Sequence, residues 1–388
     1  MNAISSPLFA KRCLGAALAL TLASCGHPKE KEIRIGLLHI SEGQGAVESG
    51  APSLLGADMA VDELNAEGGV LIGGTRYRVR LLKRGYVSGP DAAASAAREV
   101  INLDSADALV GPQLSSHALT AATVAELAGV PMITPMASNP NVTKGKTFVF
   151  RLAFLDAFQG QLLAGYAADK LHLRRASILY DATSAYGHDI ADLFRQTFES
   201  RGGKVVATET FVSDGGFDYR PQLRRILAKS PDALLLPNYA RQDSFQVRQA
   251  RELGFRGRFL GSDNWDPVSV AHIPEASGTV LVSQWDERIP REETQAFLKR
   301  YAKRYPGGRP RTTAASTYDA VRVLADAASR AGTLEGKAWA KAIGGTPRFE
   351  GVVAVYRFVG TGDPKRGGSV LYLGPRGDSL LATQEPPE

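Results

Sequence analysis

Cysteine is almost missing: the 388 residues hold two, Cys13 and Cys25. Cys13 falls in a segment expected to be removed, so one thiol remains and no intramolecular disulfide can form. Stability has to come from an apolar core instead. The longest apolar run near the amino terminus, Leu14 to Leu22, is too short to span a bilayer as a permanent helix. There is no Walker A stretch, because Lys144-Gly145-Lys146 lacks the upstream glycine and the following hydroxyl. Gly43-x-Gly45 has Glu48 where a dinucleotide fingerprint needs glycine. No Gly-x-Ser-x-Gly elbow, His-Glu-x-x-His or Cys-x-x-Cys occurs. His27, His39, His117, His172, His188 and His272 are scattered, with no i, i+4 pair to hold a metal. The formal charge of +6 is spread thinly among acidic residues, which excludes a clustered nucleic-acid footprint. Neither a short-period repeat nor a low-complexity tract is present.

What is there begins with a targeting signal. Lys11-Arg12 precedes the Leu14–Leu22 core, and Leu22-Ala23-Ser24-Cys25 follows, with Gly26 after it. This resembles a bacterial lipoprotein signal. The resemblance implies cleavage after residue 24, lipidation of Cys25, and a membrane-anchored protein in the periplasm or at the cell surface. Several acyl chains on one residue anchor firmly where one chain does not. Residues 25–32 read as a polar tether.

Strand and helix patterns then alternate for about 240 residues, too many strands for one ordinary open sheet. Buried strands are expected at Ile33–His39, Tyr77–Leu82, Ala108–Val110, Met132–Thr134 and Phe148–Ala153. The pattern restarts with a helix at Phe158–Leu171 and strands at Ala176–Tyr180, Val205–Phe211, Ala233–Leu236 and Arg258–Leu260. The tail differs. Gly278–Gln284 is extended, Glu292–Arg304 and Thr313–Ala331 are helical, and Val352–Phe358 with Ser369–Leu373 suggests a hairpin. The fold class predicted is α/β, with two doubly wound parallel-sheet domains.

Residues 109–140 carry the most information. One apolar strand runs into Gly111-Pro112 and then Ser115-Ser116; the next ends in Ala137, Ser138 and Asn139. Ligands of open parallel sheets bind beyond the carboxyl ends of the strands. Free backbone N–H groups and the positive end of the helix dipole favour an anion there. Serine at such places also caps helices, and the two roles are compatible. Two such tips side by side suit a carboxylate and need no nucleophile, metal or nucleotide.

With an export signal and two α/β halves, the chain resembles the type I periplasmic solute-binding proteins. It is most similar to the branched-chain amino acid binding proteins of ATP-driven uptake systems. The ordered stretches that carry the likeness include Gly56–Asn65 with Gly68-Gly69, Leu109–Gly129, Pro131–Pro140, Arg151 with Asp156–Gly160, Tyr186-Gly187 and Phe259–Asp263. The resemblance implies a three-stranded hinge crossed near residues 154, 282 and 348. One domain would comprise 33–154 plus 283–347, the other 155–282 plus 348–384. It further implies that Ser115 and Ser138 take the ligand carboxylate. The Met136 carbonyl and Asp263 would take an ammonium, and Tyr186 and Tyr239 would close over the ligand. An ABC permease is the implied partner; no cofactor, metal or catalytic residue is implied. A sensor built on the same module, signalling to a partner protein, is the alternative.

Physical chemistry points the same way. A zwitterion stripped of water needs strong partners for each charge. Departures from the family pattern bear on the ligand. Ser49 stands where an aromatic residue often covers the side chain, and Asp263 is shorter than the usual glutamate. The family's frequent disulfide is missing, with Leu114 at one position and Tyr86 near the other. Trp265 adds bulk that could face the cleft. An amino acid, an amide or an aromatic acid therefore remains open.

Overall fold

The computed structural model describes residues 31–388 except 214–215, 266–269, 271–272, 376 and 385–388. Cys25, the signal peptide at 1–24 and most of the expected tether lie outside the described residues.

The first sheet contains β1 (Glu32–Glu42), β2 (Val70–Ile72), β3 (Thr75–Val87), β4 (Ala108–Val110), β5 (Met132–Thr134) and β6 (Val149–Arg151), in the order β2-β3-β1-β4-β5-β6. All pairs are parallel except the edge hairpin of β2 and β3. Three-residue strands suffice at β4, β5 and β6 because every residue in them is buried. Such strands, covered on both faces, read as continuous apolar runs.

The chain then enters a second sheet through β7 (Arg175–Asp181), β8 (Lys204–Phe211), β9 (Ala233–Leu236), β10 (Arg258–Gly261) and β11 (Val280–Ser283). It next returns to the first lobe. Helices Glu292–Arg304, Thr312–Ala331 and Gly336–Gly344 supply Phe297, Tyr318, Val321, Leu324 and Trp339 to the core that also holds Ile33, Ile35 and Leu37. Gly56 permits the closest of these contacts: a Cβ there would lie 2.0 Å from the Ala314 carbonyl oxygen. Three short strands follow as a small antiparallel sheet: β12 (Phe349–Glu350), β13 (Val355–Phe358) and β14 (Pro364–Lys365). Finally β15 (Gly368–Gly374) and β16 (Gly377–Gln384) complete the second sheet, in the order β16-β15-β11-β10-β9-β7-β8. The architecture is thus α/β in two lobes, each built on a mainly parallel sheet.

Two expectations are corrected. Val352–Phe358 and Ser369–Leu373 do not form a hairpin. The first segment buries Val352, Val353, Tyr356 and Phe358 in the first lobe's core, while the second pairs with β11 and β16. The third crossing accordingly falls near Arg366 and not near 348. Alternating apolar residues fit either sheet equally well in sequence; only the long-range core decides between them. Trp265 does not face the cleft either. It is fully buried in the second lobe, and its Nε1 donates to the Leu236 carbonyl at 3.0 Å.

Candidate functional site

The carboxyl ends of β4 and β5 form one wall. Gly111, just beyond β4, has φ +92, and a Cβ there would sit 2.4 Å from the Leu38 carbonyl oxygen. Glycine therefore fixes the turn that carries Gln113, Leu114 and Ser115 across the top of the sheet. The next loop comes alongside: the backbone N–H of Asn139 donates to Ser115 Oγ at 3.4 Å. Ser115 and Ser138 are both buried, and Ser115 opens the helix Ser115–Ala128.

Arg151, at the end of β6, holds the second loop in shape. Its side chain is fully buried. It donates from Nη1 to the Ala137 carbonyl (3.0 Å), and from Nη2 to Thr143 Oγ1 (2.7 Å) and the Pro140 carbonyl (3.3 Å). Its Nε pairs with Asp363 Oδ1 at 2.6 Å. Beside this loop lies Asp156, at the start of the helix Asp156–Asp169. Its backbone N–H donates to the Ser138 carbonyl at 3.2 Å. Burial pushes its carboxyl up to about 8, against the opposing bonds from Ser138 and Gln159.

The second lobe supplies the facing wall. The Tyr186 hydroxyl donates to Asp263 Oδ1 at 2.5 Å, and the Tyr186 ring stacks on Tyr239 with centroids 5.8 Å apart. Gln284 Nε2 donates to Asp263 Oδ2 at 2.6 Å and to the Met136 carbonyl at 3.3 Å. Burial raises the Asp263 carboxyl, with the bonds from Tyr186, Gln284 and Gln159 opposing the shift. Burial and the adjacent Asp263 carboxylate raise Tyr186. The lobes also meet directly: Asn139 Nδ2 donates to Asp189 Oδ2 at 2.8 Å, and Tyr239 packs on the first lobe's second apolar cluster.

Between these walls is a cavity of about 210 Å³. Met136, Tyr239 and Asp263 line it, together with Gly43 and Gln44 from the loop after β1, Glu48 and Ser49 from the helical turn Ala46–Gly50, Gln113 and Leu114, Arg241, and Thr312 and Thr313. Ser115, Ser138 and Tyr186 are not among its lining residues; all three are buried, the serines in the loops that also carry Leu114 and Met136, and Tyr186 against Asp263 and Tyr239. The six expected site residues are therefore brought to one place, three as lining and three as supports. Gln284, Gln113, Gln159 and Asp156 are additions from the structure. Gln284 stood at the end of an expected strand, the position from which parallel sheets present ligand contacts.

Other features are structural. His117 is buried against the Tyr86 hydroxyl, 3.2 Å from Nδ1, and burial lowers it to about 4, so it is neutral. Trp285 packs edge-on against Phe297. A groove of about 600 Å³ between the first-lobe helices is crossed by the Arg300–Glu63 and Arg322–Glu67 ion pairs and lies away from the strand tips. Among the described residues, no group of His, Cys, Asp and Glu is placed to hold a metal ion. No helix among them is long and apolar enough to cross a membrane.

Residues 32–370 match the family profile described as periplasmic binding protein. The "Amino acid binding protein" of Pseudomonas aeruginosa is 28% identical over 261 residues, covering 67% of this chain and 68% of the relative. Among solved structures, a leucine binding protein from Thermotoga maritima superposes with a TM-score of 0.85 at 29% identity, covering 91% of this chain and 99% of the other. The branched-chain amino acid transporter substrate binding protein from Streptococcus pneumoniae, in complex with isoleucine, gives a TM-score of 0.82 at 29% identity, with coverage of 92% and 99%.

Proposed function

The chain belongs to the periplasmic binding protein family, and from that premise we propose that it captures an amino acid or a similar small carboxylate between its two lobes and delivers it to an ABC permease. In this reading residues 1–24 direct export, lipidated Cys25 anchors the protein to a membrane, and the polar residues up to 32 tether it. Residues 33–154 with the helical return form one lobe. Residues 155–282 with the terminal strands form the other, and crossings near 154, 284 and 366 serve as the hinge.

One observation carries the reading. Met136 in the first lobe and Asp263 in the second both line the cavity, and both turn an acceptor toward a single nitrogen, the Nε2 of the buried Gln284. A carbonyl and a carboxylate converging from opposite lobes suit an N–H donor such as an ammonium. The serine-bearing loops and the N-terminus of the helix Ser115–Ala128 suit the carboxylate of the same molecule. Tyr239 lines the cavity and stacks on Tyr186, whose hydroxyl holds the Asp263 carboxylate.

Capture of this kind is reversible and involves no covalent step. Ligand that touches both lobes favours the closed form by its difference in affinity between closed and open states, and by nothing else. The closed form then presents a surface to the permease. The test is calorimetry on purified residues 26–388 against amino acids, amides and aromatic acids, repeated with Ser138→Ala and Asp263→Ala. Each substitution is expected to weaken whichever compound binds. Unchanged affinity in both variants rejects the site.

A further inference from the structure

Gln113 sits two residues before Ser115 in the loop fixed by Gly111. Its side chain is 2% exposed and lines the cleft cavity. Neither Oε1 nor Nε2 has a protein partner among the described residues. A primary amide carries two donors and an acceptor with two lone pairs, and leaving them buried and unpaired is costly. Leucine or methionine would fill similar space at no such cost, so a hydrocarbon ligand gives no reason for an amide here. Nearby on the same cavity are Thr312 and Thr313, the first two residues of the helix Thr312–Ala331, whose start has no side-chain cap. These two hydroxyl residues extend the polar wall.

We propose that Gln113 is a specificity-determining residue that pairs with an uncharged polar group, a hydroxyl or a carboxamide, on the ligand's side chain. The amide both donates and accepts, so its complement must do both. A carboxylate would engage only Nε2 and leave Oε1 unpaired; an ammonium would do the reverse. The inference rests on the capture of a small carboxylate in this cleft and narrows the class of molecule captured.

Calorimetry with shape-matched pairs tests it: asparagine against leucine, threonine against valine, and 4-hydroxybenzoate against 4-methylbenzoate. The polar member of whichever pair binds should be favoured by at least about ten-fold, since a site built to hydrogen-bond rejects the analogue that cannot. Gln113→Leu, and Gln113→Met with its unbranched chain, should erase or invert the preference while the melting temperature stays the same or rises. Tighter binding of the hydrocarbon member by the unaltered protein overturns the inference alone. So does a preference that survives in a folded variant. Failure of every compound to bind overturns the capture reading, and this one with it.

Discussion

Gln284 donates through Nε2 to Asp263 Oδ2 at 2.6 Å, and the same nitrogen reaches the Met136 carbonyl at 3.3 Å. A neutral amide thus occupies the meeting point of two acceptors that come from different lobes. In the proposed capture of an amino acid, the incoming ammonium has to displace it. In Gln284→Ala that competition disappears. The affinity for asparagine relative to its des-amino analogue is expected to rise by roughly ten-fold, the size of one charge-assisted hydrogen bond. Calorimetry with the two compounds measures the ratio; an unaltered ratio removes Gln284 from the ammonium position.

Asp156 should make stability fall as the solution becomes more alkaline. Its folded carboxyl titrates at about 8 because of burial, against 3.8 as the ordinary value. Between those values the folded chain holds a proton that the unfolded chain has lost. The associated stability is complete below about pH 4 and is lost as pH rises through the folded value, by at most ~1.4 kcal/mol per pH unit. Asp319, raised to about 6 by burial, has the same sign but stops contributing sooner. Urea denaturation of Asp156→Asn should therefore show a flatter stability profile between pH 6 and 8 than the native protein. A profile parallel to the native one contradicts a protonated Asp156.

Arg151→Met should destabilise the protein and loosen its binding loop. The guanidinium is fully buried and carries three bonds to residues 137–143 besides its pair with Asp363. Breaking a fully buried pair costs about 3–5 kcal/mol. Asp363 retains 35% exposure, so the lower end, about 3 kcal/mol, is expected here. Equilibrium denaturation gives the loss, and calorimetry should show weaker binding of the ligand found for the native protein.

Arg366 links the three crossings. Its Nη1 donates to the Leu152 carbonyl at 3.1 Å, its Nη2 to the Gln284 carbonyl, and its Nε to the Gly367 carbonyl at 3.1 Å. The faces of Phe154 and Tyr356 flank it at 5.4 and 5.9 Å. Lysine keeps the charge but not the fork. Arg366→Lys is expected to enlarge the ligand-free protein in small-angle scattering and to weaken ligand binding by about ten-fold. Scattering identical to the native protein would show that the crossings are held by something else.

Much of this fold was readable in the sequence because strands covered on both faces are apolar throughout. Ala108–Val110, Met132–Thr134 and Ala233–Leu236 fall where the runs of Ala, Leu, Val and Ile put them. The strand-end rule led to Ser115 and Ser138, and the loops bearing them do touch. Other parts were beyond reach for a physical reason. Gln284 meets Met136 across 148 residues of chain, and Arg366 meets Leu152 across 214. No local period encodes such a contact. Val352–Phe358 was placed in the wrong sheet for the same reason, since its destination depends on the helices that precede it. The sequence around Gln113 encodes neither its burial nor its unmet amide.

The two interwoven lobes constrain how the molecule comes into being. The first core needs residues as late as Phe358, and the second sheet is closed only by the strand ending at Gln384. A nascent or translocating chain halted at residue 290 owns two incomplete halves and no finished one. Maturation must therefore await the arrival of almost the entire polypeptide.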